Sequence, residues 1–219
     1  MFILNVRALL HQLINQRYIK SALTNWRWFV RLYFNFLYRK EDPYRVHSPE
    51  EKEKFDHAFR LLGDRRFRKG LEIGCGEGRN TWRLAKICQA VLAVDISDKA
   101  IRRARQFATL PNVIFQVFDL VTDPLPGRFD YIFCSEVLYY LYPTQLDPAI
   151  EKIIKATNPG GIIHLLHSRS LKDDTSGLDL KEFGARTIHE RFLASDELTA
   201  VADEKTPMYR ITILQKNAS

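Results

Sequence analysis

The chain has few of the residues that mark several common classes of site. Its 219 residues include three cysteines, Cys75, Cys88 and Cys134, and none of them form a Cys-x-x-Cys pair. This odd, scattered set predicts neither a disulfide framework nor a metal site, and it favours a reducing cytoplasm. No Gly-Lys-Ser or Gly-Lys-Thr sequence follows a glycine-rich loop, which excludes a P-loop. Internal repeats and low-complexity segments are absent as well.

Acidic side chains are missing from residues 1–40, and the basic ones there account for the net charge of +7 of the whole chain. Residues 41–219 are therefore neutral, and we expect no nucleic-acid partner for them. We divide the chain at residue 40 into a basic, aromatic-rich extension and one domain over residues 41–219, which is long enough to bury a single core.

The extension has the spacing of amphipathic helices. Apolar side chains recur at helical intervals in residues 2–13, and the segment from Leu23 to Tyr38 has a narrow polar stripe of Arg27, Arg31, Asn35 and Arg39. That segment would be about 24 Å long as a helix, shorter than the roughly 30 Å hydrocarbon core of a bilayer, so no membrane span is expected. Three roles stay open: packing on the protein's own core or a second subunit, peripheral contact with a membrane or partner protein, and organelle targeting.

After residue 41, strand-like and helical segments alternate. A capping box of Ser48 and Glu51 opens a helix, and the apolar runs GLEIG, VLAVD and FDYIFCSE follow. A helix is predicted from Thr144 to Thr157, and the last two apolar runs flank a turn at Pro207. The alternation predicts an α/β fold with a mostly parallel sheet, helices on both faces and an antiparallel hairpin at one edge.

The run LEIGCGEGRN places three glycines where a nucleotide could approach the backbone. Gly74 and Gly76 match the dinucleotide fingerprint, but Arg79 stands where its third glycine belongs, which disfavours an NAD-dependent oxidoreductase. Asp95 ends the next strand and is placed to accept hydrogen bonds from ribose hydroxyls. Asp119 ends the third strand and could accept one from an adenine amino group. The expected ligand therefore contains adenosine, without a cradle for a second nucleotide.

From about Leu71 to Leu166 the chain resembles a class I S-adenosylmethionine-dependent methyltransferase, on the motifs EIGCGEG, AVDIS, FDL, FDYIFCSEVLYYL and NPGG. The motifs EDPYRVHSPEEKEKFDHAFRLL, SEVLYYL, LLHSR and HERFL are similar to those of the nodulation protein S (NodS) family. That family is best known for N-methylation of a deacetylated amino sugar in a lipo-chitooligosaccharide. The resemblance, over residues 41–214, implies a Rossmann-like fold with seven strands in the order 3-2-1-4-5-7-6, S-adenosylmethionine as cofactor and a small-molecule substrate.

The resemblance also implies roles for individual residues. Glu72 would help to hold the ammonium side of the cofactor, and Tyr44 would close over the site. The other implied cofactor contacts are the backbone of Gly74, Cys75 and Gly76 at the methionine end, Asp95 and Ile96 at the ribose, Asp119 and Leu120 at the adenine, and Ser135 beside the sulfonium.

An amine acceptor must lose a proton before it is methylated, so a base is expected nearby. The candidate catalytic residues are His167, near the end of the fifth strand, and Glu136, after the fourth. The alternatives are a histidine that ties down a loop and a carboxylate that caps a helix. Substrate contacts are also predicted for Tyr139, Tyr140, His189 and Arg191, with core packing or a solvated helix face as the alternatives.

The leading hypothesis is a cytoplasmic N-methyltransferase that acts on a small amine, either an amino sugar or a biosynthetic intermediate. Two other functions stay open. One is O-methylation of a lipid-like hydroxyl or carboxylate at a membrane, and the other is a non-catalytic scaffold that binds the cofactor. The acceptor itself depends on loops that vary freely on this fold.

Overall fold

A seven-stranded sheet forms the centre of the computed structural model, which describes residues 27–107, 109–169 and 183–218. The strands are β1 (Phe67–Ile73), β2 (Cys88–Asp95), β3 (Val113–Val117), β4 (Phe129–Ser135), β5 (Thr157–Ser168), β6 (Leu198–Lys205) and β7 (Tyr209–Lys216). Their order is β3-β2-β1-β4-β5-β7-β6. The first five pair in parallel, and β7 pairs antiparallel with both β5 and β6. The predicted fold class, strand order and closing hairpin are confirmed.

Helices cover both faces of this sheet. They are α1 (Arg27–Leu37), α2 (Pro49–Arg60), α3 (Thr81–Ile87), α4 (Asp98–Phe107), α5 (Pro143–Ala156) and α6 (Ala185–Leu193), with a 3-10 turn at Leu138–Tyr140. Successive residues of β4 belong to two different clusters of buried side chains, Ile132 to one and Phe133 to the other. Because neighbouring residues of a strand point to opposite faces, each face of the sheet has its own core.

The start of α2 differs in part from the predicted capping box. The hydroxyl of Ser48 accepts a hydrogen bond from the backbone N–H of Glu51, 3.2 Å away, and Pro49 follows the cap. The carboxylate of Glu51 accepts a hydrogen bond from Lys54 Nζ at 2.8 Å. The serine half of the cap is present, and the acid half is used to hold a lysine.

Helix α1 lies against the carboxyl edge of the sheet with its polar stripe facing inward. Its hydrogen bonds to the rest of the protein include those from Arg27 to the carboxylate of Asp119, from Arg31 to the carbonyl of Ile96, and from Asn35 to the carboxylate of Asp98. On the outer side, Trp28 and Leu32 are 57% and 53% exposed. In the part of the chain that the structure describes, no helix combines the length and apolar character needed to cross a bilayer. The helix predicted over residues 2–13 lies outside the described residues.

Candidate active site

A cavity of about 360 Å³ lies at the carboxyl edge of the parallel strands. The ends of β1, β2 and β4 form its floor, and α1 and α2 form part of its walls. Nine of the sequence-predicted cofactor residues line it: Tyr44, Glu72, Gly74, Cys75, Gly76, Asp95, Ile96, Leu120 and Ser135. This is the edge at which ligands of open α/β sheets bind.

The glycine-rich loop brings the backbone of Gly74 and Gly76 to the cavity. Gly74 and Gly76 have positive φ angles of +79° and +55°, which L-residues adopt only at a cost. The N–H of Gly74 also donates to the carbonyl of Val94 at 2.8 Å, so the loop is tied to β2. A Cβ on Gly74 would lie 2.0 Å from Cγ2 of Val137, and one on Gly76 would lie 2.7 Å from the Tyr38 hydroxyl oxygen. Both the backbone conformation and the space therefore require glycine.

Gly74→Ala is expected to destabilise the protein by about 3 kcal/mol or more, measured by urea denaturation. The left-handed backbone costs an L-residue about 1–2 kcal/mol, and overpacking adds about 1–3 kcal/mol. Gly160→Ala is a matched control, because Gly160 has φ +74° and no neighbouring heavy atom within 4 Å of its Cβ position. Gly160→Ala should lose only the roughly 1–2 kcal/mol that the left-handed backbone costs. Equal losses in the two variants would contradict the close contact with Val137.

Asp95 is held by two backbone donors at the floor of the cavity. Its Oδ2 accepts a hydrogen bond from the N–H of Gly76 at 3.0 Å, and its Oδ1 accepts one from the N–H of Ser97 at 2.8 Å. Burial raises its pKa to about 6, although these two hydrogen bonds oppose the shift. Since a carboxylate has about four acceptor positions, lone pairs remain for hydroxyl donors of a ligand.

Glu72 is a second buried acid on the cavity lining. Its Oε2 accepts a hydrogen bond from Thr81 Oγ1 at 2.6 Å. Burial raises its pKa to about 7, and the charge of Asp95 adds to this, while Thr81 and Arg83 act in the other direction. A cation bound next to Glu72 would stabilise the carboxylate form.

Asp119 is bound by α1 and does not line the cavity itself. Both of its carboxylate oxygens accept hydrogen bonds from Arg27, each at 2.7 Å, and the two side chains are 7% and 15% exposed. Leu120, the next residue, does line the cavity. The predicted contact between Asp119 and an adenine therefore stays a prediction.

Glu136 follows β4 and lines the cavity in a strained backbone conformation, with φ +57°. Its Oε1 accepts hydrogen bonds from Lys54 Nζ at 3.1 Å and from the N–H and the hydroxyl of Ser168, both at 2.8 Å. Its Oε2 accepts one from the hydroxyl of Tyr139. Burial raises its pKa, but Lys54, His167 and these hydrogen bonds outweigh burial and lower it below the usual value. Glu136 is therefore a carboxylate at neutral pH.

Lys54 was not singled out by the sequence analysis, yet it is buried on the cavity wall. Its Nζ donates to Glu51 at 2.8 Å, to Glu136 at 3.1 Å and to the hydroxyl of Ser168 at 3.2 Å. Burial lowers its pKa, but the two carboxylates outweigh this and keep it charged. The run EEKEKF looks like a solvated helix face, so the sequence gives little sign that Lys54 is buried. The one available sign is that Lys54 lies four residues before Ala58, which is buried, and therefore on the same face of the helix.

Aromatic side chains surround the same end of the cavity. Tyr139 and Tyr140, for which substrate contacts are predicted, line the cavity with ring centroids 4.9 Å apart. Phe34 packs edge-on against Tyr140 at 5.2 Å, and Tyr38 packs against Tyr44 at 6.0 Å. Ring faces attract cations within about 6 Å, so these walls suit a positively charged ligand.

The structure does not bring the other three predicted residues to the cavity. His167 and His189 are fully buried behind its wall, where Nδ1 of His167 lies 3.1 Å from Nε2 of His189. Arg191 lies on the outer side of α6 and pairs with Asp147 at 3.0 Å. The positions of these three side chains therefore give no direct support to a role in substrate binding.

Across the described ranges, we find no group of three or more histidine, cysteine, aspartate or glutamate side chains that could hold a metal ion. The three cysteines are free and buried.

Comparison with known proteins agrees with this geometry. Residues 71–161 match a family model described as a methyltransferase domain. The chain is 32% identical over 123 residues to nodulation protein S of Azorhizobium caulinodans, an alignment that covers 55% of this chain and 59% of that protein. It is 28% identical over 123 residues to phosphoethanolamine N-methyltransferase 1 of Triticum aestivum, covering 54% of this chain and 25% of that protein.

A solved structure is similar over more of the chain. The N-methyltransferase NodS of Bradyrhizobium japonicum, in complex with S-adenosyl-L-homocysteine, superposes with a TM-score of 0.73 and 25% identity, covering 85% of this chain and 97% of that one. The curated relatives above are matched over about three fifths of their length or less. The chain thus has a methyltransferase domain over residues 71–161, and its sequence and fold are similar to those of the nodulation protein S group.

Proposed function

We propose that the protein transfers a methyl group from S-adenosylmethionine to the amine nitrogen of a small molecule. The observation that carries this proposal is the setting of Lys54, whose ammonium group is held in the cavity by Glu51, Glu136 and Ser168. This end of the cavity thus stabilises a primary ammonium, the group that an amine acceptor presents. The NodS protein and the phosphoethanolamine enzyme are both N-methyltransferases by name.

The other end of the cavity fits S-adenosylmethionine. The hydroxyl oxygen of Ser135 is buried there and has no hydrogen-bond partner among the described residues, so a polar group of a ligand would satisfy it. Asp95 would accept hydrogen bonds from the ribose hydroxyls, and Glu72 would hold the ammonium group of the methionine part. Once bound, this cofactor supplies a methyl group that is attached to a positively charged sulfur. The sulfur is the leaving group and becomes a neutral thioether.

The protein's own contribution is to bind and orient the acceptor. Glu136 is ionised at neutral pH and already accepts hydrogen bonds from Lys54, Ser168 and Tyr139, so it would attract an acceptor ammonium by its charge, beside the ring faces of Tyr139 and Tyr140. Its backbone strain and four hydrogen-bond donors fix the direction of the carboxylate. Holding the reacting groups in this way accounts for much of the rate enhancement expected of such a transfer.

The proposal is tested by incubating the full chain with radiolabelled S-adenosylmethionine and a panel of acceptors. Glucosamine oligomers and phosphoethanolamine carry a free amine, and N-acetylglucosamine oligomers are the matched control because they keep the hydroxyls and lose the amine. We expect label in at least one free amine and none in the acetylated oligomers. Equal labelling of acetylated and free oligomers would assign the reaction to oxygen. Cofactor binding without label in any acceptor would favour the scaffold function.

Cofactor binding is expected to depend on pH through Glu72. Since burial raises the pKa of this group to about 7, it is protonated in the ligand-free protein below neutral pH. A cofactor ammonium favours the carboxylate, so the Kd for S-adenosylmethionine should rise about tenfold per pH unit as pH falls from about 7 to about 5. Glu72→Gln should remove most of this slope, leaving the weaker dependence from Asp95. Calorimetry at several pH values measures both, and a flat wild-type profile would contradict the assignment.

The raised pKa of Glu72 also makes the stability of the protein depend on pH. A carboxyl group whose pKa is higher in the folded state favours folding most below its unfolded value, here 4.5, and this contribution is lost as pH rises through about 7. Ligand-free protein should therefore lose stability over that interval, and saturating cofactor should reduce the loss.

A second candidate function is methylation of a lipid-like hydroxyl or carboxylate at a membrane surface. The outward position of Trp28 and Leu32 on α1 favours it. Sedimentation of the full chain with anionic and with neutral vesicles distinguishes a peripheral membrane contact from a partner-protein contact of residues 1–40. A cytoplasmic location is still a prediction from the cysteine content.

A further inference from the structure

Acidic side chains outnumber basic ones on the lining of the cavity. Among the described residues, six carboxyl groups and three basic side chains line it. The acids are Asp42, Glu51, Glu72, Glu77, Asp95 and Glu136, and the bases are Arg27, Lys54 and Arg79. An excess of one sign of charge in a cleft attracts ligands of the opposite sign and repels those of the same sign. The proposed function leaves this imbalance unexplained.

Both arginines of the lining are already bound by carboxylates. Arg27 donates to the two oxygens of Asp119, each at 2.7 Å. Arg79 donates to Glu77 at 2.9 Å and to Glu41 at 3.1 Å. The side chain of each arginine is 15% exposed. An anionic ligand could therefore reach either guanidinium only by breaking an ion pair inside the protein.

Lys54, the third basic side chain of the lining, is surrounded by more negative charge than it neutralises. Its Nζ lies 2.7 Å from Oε2 of Glu51 and 3.1 Å from Oε1 of Glu136, and its side chain is 5% exposed. The hydroxyl of Ser168 accepts from it at 3.2 Å. The three N–H donors of the ammonium group thus have three partners. With two carboxylates for one cation, the proposed acceptor end of the cavity is net negative.

A phosphate on the acceptor would be unfavourable in these surroundings. A phosphate monoester carries about −1.5 to −2 charges at pH 7 and is bound in proteins mainly by arginine and lysine side chains. Each arginine and lysine of the described lining already has a carboxylate partner. A phosphate placed beside Lys54 would lie close to Glu51 and Glu136, and partial burial strengthens the repulsion between them.

We propose that the protein selects its acceptor by charge, methylating an amine that carries no phosphate, and that Glu51 is a residue that determines this specificity. The inference rests on the proposed function, because it names the class of amine that the same site accepts. Glu51 is a positioning residue. Together with Glu136 it occupies Lys54 and thereby keeps this lysine from binding an anion.

Matched pairs of acceptors test the proposal with the full chain. Glucosamine and glucosamine 6-phosphate share the amine and differ in the phosphate, and ethanolamine and phosphoethanolamine form a second pair. In each pair we expect kcat/KM to be about tenfold higher or more for the unphosphorylated amine, because like charges brought together in a binding site strongly oppose binding. A ratio near one, or a preference for the phosphorylated member, would overturn the proposal.

A phosphate adds bulk as well as charge, so a neutral extension is needed as a control for size. The glucosamine disaccharide is larger than glucosamine 6-phosphate and gains no anionic group. It should be methylated at least as efficiently as glucosamine. Exclusion of the disaccharide together with the 6-phosphate would assign the selection to size, and the charge of the cavity would not be its cause.

Glu51→Gln should weaken the selection, because it leaves Lys54 with Glu136 as its carboxylate partner and removes one negative charge from the lining. We expect the preference for the unphosphorylated amine to fall about threefold or more. Glu53→Gln is the matched control on α2, since the side chain of Glu53 is 64% exposed and pairs with Arg60. This variant should keep the wild-type preference. A purely structural defect in Glu51→Gln would lower both rates and leave their ratio unchanged, which would overturn the role of Glu51.

Calorimetry measures the selection without methyl transfer. The full chain, saturated with S-adenosyl-L-homocysteine, is titrated with both members of each pair, and the unphosphorylated amine should bind about tenfold more tightly or better. If this preference is found and no amine is labelled, the proposed function fails and the charge selection holds. If amines are labelled without a preference, the charge selection fails alone. If no amine is bound or labelled, both are wrong.

Discussion

Asp95→Asn is expected to weaken binding of S-adenosylmethionine about 100-fold or more. Hydrogen bonds to a charged group are worth about 1.5–3 kcal/mol each, and the ribose would donate two to this carboxylate. A loss of about 3 kcal/mol already corresponds to about 100-fold in Kd. Calorimetry with the cofactor and with its demethylated product measures the effect at pH 8, where Asp95 is ionised because burial raises its pKa only to about 6.

Asp98→Asn is the matched control for that experiment. Asp98 lies three residues further on, and its carboxylate binds Asn35 and Arg102 instead of lining the cavity. The same substitution there should change cofactor affinity about twofold or less, within the range of an exposed ion pair. If Asp95→Asn bound the cofactor with wild-type affinity, Asp95 at the end of β2 would not be the residue that binds the ribose. The proposed orientation of the cofactor would then be wrong as well.

Glu136→Gln is expected to lower kcat about 100-fold or more while the Kd for the cofactor stays within about twofold. The substitution keeps the shape of the side chain and removes the charge that holds Lys54 and, in the proposed function, the acceptor ammonium. Initial rates with the amine acceptor give kcat, and calorimetry with the cofactor gives its Kd. The effect should be seen in kcat because the charge acts on the reacting nitrogen.

Glu53→Gln on α2 controls for the loss of a carboxylate. The side chain of Glu53 is 64% exposed and pairs with Arg60 outside the cavity, so its removal should leave kcat unchanged. Should Glu136→Gln methylate the amine at the wild-type rate, the ammonium-binding end of the cavity would have to be assigned to another ligand.

The sequence was sufficient for the sheet and for many of the residues that line the proposed cofactor end of the cavity, because both depend on local order along the chain. Each strand is a short apolar run, and parallel strands bring their carboxyl ends to one edge. Asp95 and Ser135 end such runs, and the positive φ angles of the glycine-rich loop follow from its composition. Their positions could therefore be predicted without knowledge of long-range packing.

The proposed acceptor end of the cavity depends on contacts between residues far apart in sequence. Lys54 reaches Glu136, 82 residues away, and Ser168, 114 residues away. His167 is the last residue but one of β5, near whose end a base was expected, but the alternation of the strand turns it away from the cavity and toward α6. The sequence shows the polar stripe of α1 without its orientation, and the position of Asp119 shows that Arg27 points inward. No local pattern carries this information.

The segment that matches the methyltransferase domain, residues 71–161, contributes only part of the cavity wall. Tyr38 and Lys54 complete the wall from before this segment, and Ser168 completes it from after. Two proteins that share the central segment can consequently use the same methyl donor and modify different molecules. A change of acceptor can then arise in the flanking sequences without any change in the glycine-rich loop or in Asp95.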